Sequence, residues 1–366
     1  MTDMSSVNET PPIDTLSLAP LPFDQYALII DARSPHEYAE DHVPGAVNLP
    51  VVDDAEFAEV GIQHKTDPHA AYLIGAQHSF RNLARHTGDL IARYKPDDRF
   101  LVYCFRGGKR SALWAANLRL IGFTVDVVPG GWKHYRNWVR ETLTTLPPAF
   151  EYIVLCGPTN CGKTRLLQEL ARQGEQVLDL EGLAVHKGSL LGDVPGQPQP
   201  TQKTFDSRVL DVLRRFDAAR PVWVEAESKK VGRLLVPETL TAAMRRAATV
   251  HLSAPMAERV RLCHEDYAHF AADPLSMVAR LAPLKPLVGG EELASWQALA
   301  AEGRTSELFE RLMTHHYDPA YSRSTTREFG PGDGGNQLAL ASLQPDALAA
   351  TARTMIASRA VRSSAA

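Results

Sequence analysis

The chain has 366 residues, 44% of them hydrophobic, with 39 basic and 43 acidic side chains and a formal net charge of −4. That length exceeds one ordinary core, so two domains are expected, and the slightly negative balance argues against indiscriminate coating of nucleic acid while leaving local basic surfaces open. No apolar run approaches a membrane span, the first residues lack the basic and apolar parts of a signal peptide, and Cys104, Cys156, Cys161 and Cys263 form neither a CxxC pair nor a zinc-like set, so a cytoplasmic protein without membrane partner, disulfide framework or dedicated metal centre is expected.

Residues 1–22 are polar, proline-containing and without periodicity, and read as a mobile lead-in. From residue 23 to 143, short apolar runs (Ala27 to Asp31, Phe100 to Cys104, Val125 to Val128) alternate with helical stretches (Pro35 to Glu40, Phe80 to Tyr94, Lys109 to Ile121), the mark of a parallel α/β sheet. The proline pair in Thr142 to Phe150 suggests a boundary. A second α/β region over 150–272 has strand candidates at Tyr152 to Cys156, Gln176 to Leu180, Pro221 to Glu225 and Thr249 to Ser253. Residues 273–330 read as a helical extension, with Leu293 to Ala301 and Glu307 to His315 as helices. Residues 331–366 read as a tail: the glycine-rich stretch Gly330 to Gly335 predicts a turn, and a helix is expected near Asp346 to Ser358.

Cys104 ends a strand candidate, and Phe105 to Ser111 then open a helix with two glycines and two arginines. Backbone N–H groups at Gly107 and Gly108, the helix N-terminus, Arg106 and Arg110 would favour a thiolate and hold a tetrahedral oxyanion above the sulfur. Cys104 is therefore the candidate nucleophile, against the plainer reading of a buried apolar filler.

The stretch GPTNCGKT, Gly157 to Thr164, fits the eight-residue phosphate loop and lies between a strand and a helix. Gly157 and Gly162 let amides curl round a phosphate, Lys163 adds a point charge, and Thr164 can hold a phosphate oxygen or magnesium. Glu225, ending a strand candidate, is the best acidic partner, with Glu227 and Asp179 nearby in pattern, although an ordinary structural carboxylate would also fit. Lys229, Lys230, Arg233, Arg245 and Arg246 make a basic stretch, and His315 to Ser324 mixes aromatics with Arg323, a pattern able to meet RNA phosphates and stack a base; solvated helix faces and core tyrosines explain the same residues. His186 and His264 are read as polar or structural.

Leu28 to Pro50, Tyr103 to Ser111 and Val128 to Trp138 closely resemble the rhodanese family, whose cysteine carries a transferable sulfur. Five residues separate Cys104 from Arg110, one more than in the usual sulfurtransferase loop; the longer loop resembles that of dual-specificity phosphatases and puts plain thiosulfate sulfurtransferase activity in question. A rhodanese-like domain followed by a phosphate-loop NTPase-like α/β domain resembles the tRNA 2-selenouridine synthase family, as do Ala184 to Ser189, Gln199 to Ser207 and Val224 to Gly232. The resemblance implies geranyl transfer from geranyl diphosphate to the sulfur of wobble 2-thiouridine in tRNA, followed by replacement with selenium from selenophosphate. It also implies diphosphate at Gly157, Gly162, Lys163, Thr164 and Glu225, selenophosphate at Arg106, Gly107, Gly108 and Arg110, and no tightly bound cofactor beyond optional magnesium. Cys104 would either take selenium covalently or sit beneath a non-covalent cradle. An ATP-dependent sulfurtransferase and a nucleotide-controlled binding module are the alternative readings.

Overall fold

The computed structural model describes residues 23–329 and 336–363; the lead-in over residues 1–22 and the Gly330 to Gly335 turn lie outside the described residues. The chain divides into two compact units, one of Met1–Thr142 with Thr201–Arg214 and one of Leu143–Pro200 with Arg215–Ala366. Each is α/β with a parallel sheet, and the second carries a helical part after its central strands.

In the first unit, β1 (Leu28–Asp31), β2 (Ala46–Asn48), β3 (Arg99–Tyr103) and β4 (Thr124–Val127) form a parallel sheet in the order β2-β1-β3-β4. Leu28 pairs with Phe100 and Asp31 with Tyr103, so β1 and β3 end level and deliver Arg33 and Cys104 to the same edge. Ile30, Val102, Trp114 and Leu118 fill the core from strands and the Lys109–Ile121 helix. Two long helices, Asp54–Thr66 and Pro68–Asp89, cross between β2 and β3; Phe57, Ile62, Tyr72 and Phe80 face solvent on them, which blurs the helical periodicity.

A helix from later in the chain, Gln202–Leu213, completes this unit. Ser207 Oγ donates to the fully buried Asp41 at 3.0 Å, and Arg136 donates to the Lys203 carbonyl and to Asp206 at 3.0 and 2.9 Å. Sequence order places this helix inside 150–272, yet it belongs to the first unit, where its polar face satisfies the buried Asp41 carboxylate.

The second unit has β5 (Tyr152–Cys156), β6 (Gln176–Leu178), β7 (Val222–Glu225), a small antiparallel hairpin β8 (Lys230–Val231) and β9 (Leu234–Leu235), β10 (Ala248–Ser253) and β11 (Asn336–Ala339). Its main sheet runs β11-β10-β5-β7-β6, all parallel. The reading of 331–366 as a tail is corrected here. Val250 pairs with Asn336 and Ser253 with Ala339, while Leu340, Leu343, Leu348 and Ala352 are buried against Leu166, Leu167 and Leu170. Apolar residues on the strand and helix needed a partner surface, and the sheet edge with the Lys163–Arg172 helix supplies it. The helical part has its own core around Trp296, Leu308, Phe309 and Leu281.

Candidate functional site

Each unit carries one site at the carboxyl ends of its strands, where parallel α/β sheets bind ligands. In the first unit, Cys104 follows β3 and is 3% exposed. Its Sγ accepts the Gly108 N–H at 3.2 Å and lies 3.2 Å from Ser111 Oγ. Burial alone would raise the thiol, but the Ser111 hydroxyl and the amides of Ser111, Gly108 and Arg106 outweigh it and bring it below its ordinary value. Burial instead pushes the Cys156 and Cys263 thiols up to about 12 and raises Cys161 as well, so Cys104 is the cysteine poised to act.

The loop is shaped from behind by the glycine pair that follows β4. The Trp132 and Lys133 amides donate to the Cys104 and Phe105 carbonyls at 2.8 and 3.0 Å. Gly131 has φ +58°, and a Cβ there would lie 2.2 Å from the Cys104 carbonyl oxygen, so only glycine lets the two loops touch. Arg106, Gly107 and Gly108 are exposed at the loop tip. Arg110 is spent differently from expectation: its guanidinium meets Glu37 at 2.5 and 3.2 Å. Glu37 also closes the capping box with Ser34, and despite burial the Arg110 contact holds its carboxyl below the usual range. Glu37 had no role in the sequence reading, because nothing local links it to a loop 73 positions away.

In the second unit, Gly157 to Thr164 follows β5 and opens the Lys163–Arg172 helix. Gly157 has φ +150°, and a Cβ there would sit 2.6 Å from Cys161 Sγ and 2.7 Å from the Leu252 carbonyl. Lys163 Nζ is folded over the loop, donating to the Gly157 and Pro158 carbonyls at 2.7 and 3.2 Å. Burial opposes its charge, but Cys161, Tyr321, Glu225 and Glu181 favour it, and its pKa rises. Thr164 Oγ1 donates to Glu225 Oε2 at 3.1 Å, a meeting that the Leu155–Glu225 register of β5 and β7 brings about.

These residues open into a cavity of about 1060 Å³. Tyr267, Tyr317, Tyr321 and Phe329 give it aromatic wall, while Asp179, Glu181, Glu225 and Glu227 give it acid. Burial first, then the neighbouring carboxylates, pushes Glu181 and Glu227 up to about 8 and raises Glu225 well above its ordinary value. Glu181, Glu225 and Glu227 each offer an oxygen within 4.8 Å of the others, a set able to hold a metal ion. Glu225 Oε1 is buried without a hydrogen-bond partner among the described residues, which fits a cation there beside Thr164. Asp179, named in the sequence as a possible acidic partner, caps the Leu180–Ala184 helix by accepting the Gly182 N–H at 2.7 Å.

The stretch His315 to Ser324 lies on this cavity. A π-turn at Met313–Tyr317 shifts the face of the helix, so that Leu308, Phe309 and Leu312 pack in the helical core while Tyr317, Tyr321 and Ser324 line the site. Tyr321 OH accepts the Gly157 N–H at 2.7 Å, and its ring lies 5.0 Å from Lys163 Nζ. Arg259, unmarked in the sequence, donates to the Thr159 carbonyl at 2.9 Å and pairs with Asp318, tying that helix to the loop. Lys229, Lys230 and Arg233 lie on or beside the β8–β9 hairpin and are exposed, as are Arg246 and Arg323; Arg245, also exposed, pairs with Glu328. His186 accepts the Gly188 N–H at 3.1 Å, and His264 lies 2.9 Å from Ser306 Oγ.

A cysteine loop on a rhodanese-type sheet, followed by a phosphate loop on a five-stranded sheet, defines a phosphate-loop protein with a thiol-bearing companion unit. Family models agree: a rhodanese-like domain matches residues 18–138 and a tRNA 2-selenouridine synthase AAA domain matches residues 150–280. The tRNA 2-selenouridine synthase of Nitrosomonas europaea is 33% identical over 74% of this chain and 71% of that protein, and that of Cupriavidus necator 34% over 80% and 87%. That of Sulfurovum sp. is 35% identical over 82% of this chain and 89% of that protein. The chain belongs to the tRNA 2-selenouridine synthase family. The solved N-terminal domain of a putative ATP/GTP binding protein from Clostridium difficile 630 is 33% identical over 31% of this chain at a TM-score of 0.27, and the assignment does not rest on it. Among the described residues no helix is long and apolar enough to cross a membrane.

Proposed function

We propose that this protein is a cytoplasmic tRNA-modifying transferase that converts wobble 2-thiouridine to 2-selenouridine, first geranylating the sulfur and then exchanging it for selenium. The observation that carries the reading is the phosphate loop facing a cavity of about 1060 Å³ with both acidic and aromatic wall, space for a diphosphate and a prenyl chain together. In the first step the thiouridine sulfur bonds to C1 of geranyl diphosphate as the C1–O bond breaks, and diphosphate leaves. Lys163 turns from the Gly157 and Pro158 carbonyls to the departing oxygens, and the loop amides add fixed donors. Thr164 and Glu225 would hold magnesium, which supplies further positive charge against that leaving group.

In the second step selenophosphate rests by its phosphate on the amides of Gly107 and Gly108, with Arg106 as the counter-charge above Cys104, while Arg110, paired with Glu37, braces the loop. Selenium bonds to C2 of the base as the C2–S bond breaks and the geranylthiolate leaves and takes a proton; water then attacks phosphorus, the P–Se bond breaks with its electron pair staying on selenium, and inorganic phosphate departs. The exposed cations Lys229, Lys230, Arg233, Arg246 and Arg323 meet tRNA phosphates.

The variants that test this division of labour are Lys163→Ala, expected to make no geranylated nucleoside, and Cys104→Ser, expected to accumulate it. Loss of alkylation in both would refute the assignment of one step to each unit.

A further inference from the structure

Three glutamates converge beside the phosphate loop from separate segments: Glu181 from the first turn of the Leu180–Ala184 helix, Glu225 from the end of β7, and Glu227 from the loop after it. Their ligand oxygens lie within 4.8 Å of one another, and Glu225 is 1% exposed. No cationic side chain among the described residues is bonded to them, although the Lys163 charge acts on all three through space. None of the ion pairs among the described residues includes any of the three, and the basic side chains on the same cavity are engaged elsewhere. Arg165 pairs with Glu265 and Asp266, Arg172 with Glu169, and Lys187 Nζ donates to the Asp266 carbonyl at 2.7 Å. Lys163 Nζ is bonded to two loop carbonyls.

Two observations besides the closeness of the three carboxylates point to a ligand. Glu225 Oε1 is buried and has no hydrogen-bond partner among the described residues, although Oε2 takes the Thr164 hydroxyl. A buried carboxylate oxygen left orphaned is destabilising unless something fills the gap. The second is the bend that brings Gly188, at φ +66°, against the cluster: a Cβ there would sit 2.8 Å from Glu181 Oε1 and 3.4 and 3.5 Å from the Glu227 oxygens. The chain thus keeps a side chain out of the space these oxygens border.

We infer that Glu181, Glu225 and Glu227 form a protein-built site for a hard divalent cation of the magnesium or manganese class, occupied before any diphosphate arrives. Oxygen-only ligands select hard cations, and an ion about 2.1 Å from each ligand spans oxygen pairs up to about 4.2 Å, so the outermost oxygens need close by no more than about 0.6 Å to hold it. The usual phosphate-loop magnesium leans on one or two carboxylates and on the nucleotide or diphosphate itself. Three converging carboxylates make the phosphate unnecessary for binding. The inference deepens the proposed alkylation site and depends on that reading for its use, but not for its existence.

The test is calorimetric titration of manganese(II) into the full chain, with no tRNA and no diphosphate, together with the electron paramagnetic resonance signal of free manganese. One saturable ion per chain is expected. Glu181→Gln combined with Glu227→Gln should weaken it by more than about tenfold, since losing even an outer partner of a metal commonly costs that much. These substitutions relieve like-charge crowding, so the variant is expected to fold; an unchanged circular dichroism spectrum and melting transition, with loss of the manganese-induced rise in melting temperature, completes the expected result. Binding that is absent without diphosphate and appears with it would overturn the inference while leaving the diphosphate reading intact. Binding unaffected by the double substitution would overturn it as well.

Discussion

At the scale of single residues, reactivity is decided by which groups surround a buried atom. Cys104 follows β3, Cys156 ends β5 and both are buried, but only at the first sulfur do amide and hydroxyl donors outweigh burial, and only its pKa falls. A thiol with a lowered pKa is thiolate at lower pH, so carbamidomethylation of Cys104 should show a rate midpoint below the ordinary value of 9.0. Ser111→Ala should move that midpoint upward; an unmoved profile would mean that the hydroxyl contributes nothing to the thiolate. Gly131→Ala is a sharper probe of the loop, because its Cβ would meet the Cys104 carbonyl oxygen at 2.2 Å and the Gly107 nitrogen at 2.6 Å. It should lower the melting temperature and slow Cys104 modification together, whereas Gly122→Ala, which meets nothing within 4 Å but is strained by φ +113°, should lower stability without touching the cysteine.

At the scale of elements, the parts that were legible in the sequence are those whose signals are local. The phosphate loop, the Pro35–Glu40 helix with its capping box and the strand Tyr152–Cys156 stand where pattern and turn chemistry put them. What escaped is set through space. Glu37 reaches Arg110, Arg259 reaches Thr159, and Glu181 joins Glu225 and Glu227 only after the sheet has assembled. The C-terminal strand and helix looked like an appendage because four apolar residues in a weakly patterned segment gain meaning only against the Lys163–Arg172 helix. Leu343 is fully buried there and fills the space in front of Gly162. Leu343→Ala should therefore cost about 2–5 kcal/mol in denaturant unfolding of the second unit, typical of a large core deletion. A change within the range of surface substitutions would show that the segment is dispensable. The same logic applies to Gln202–Leu213: Ser207→Ala removes a donor from buried Asp41 and should destabilise the first unit by about 1–3 kcal/mol.

At the scale of the whole molecule, the two loops differ in chemistry: one lowers the pKa of a thiol, the other is a phosphate loop beside acid and aromatic wall. Family membership joins them in one protein. If each unit performs one step, geranylated tRNA made by Cys104→Ser and then purified should be converted to selenouridine by Lys163→Ala with selenophosphate, although neither variant completes the reaction alone. Failure of the transferred intermediate to convert would tie both steps to a single intact site.

The most direct test of the central claim is nucleoside mass analysis of 2-thiouridine-containing tRNA incubated with the protein, geranyl diphosphate and selenophosphate, each donor omitted in turn. The account predicts a geranylated nucleoside when selenophosphate is absent and its conversion to selenouridine when selenophosphate is added. Thiouridine left unchanged under every condition by folded protein would contradict it and favour an ATP-dependent sulfurtransferase.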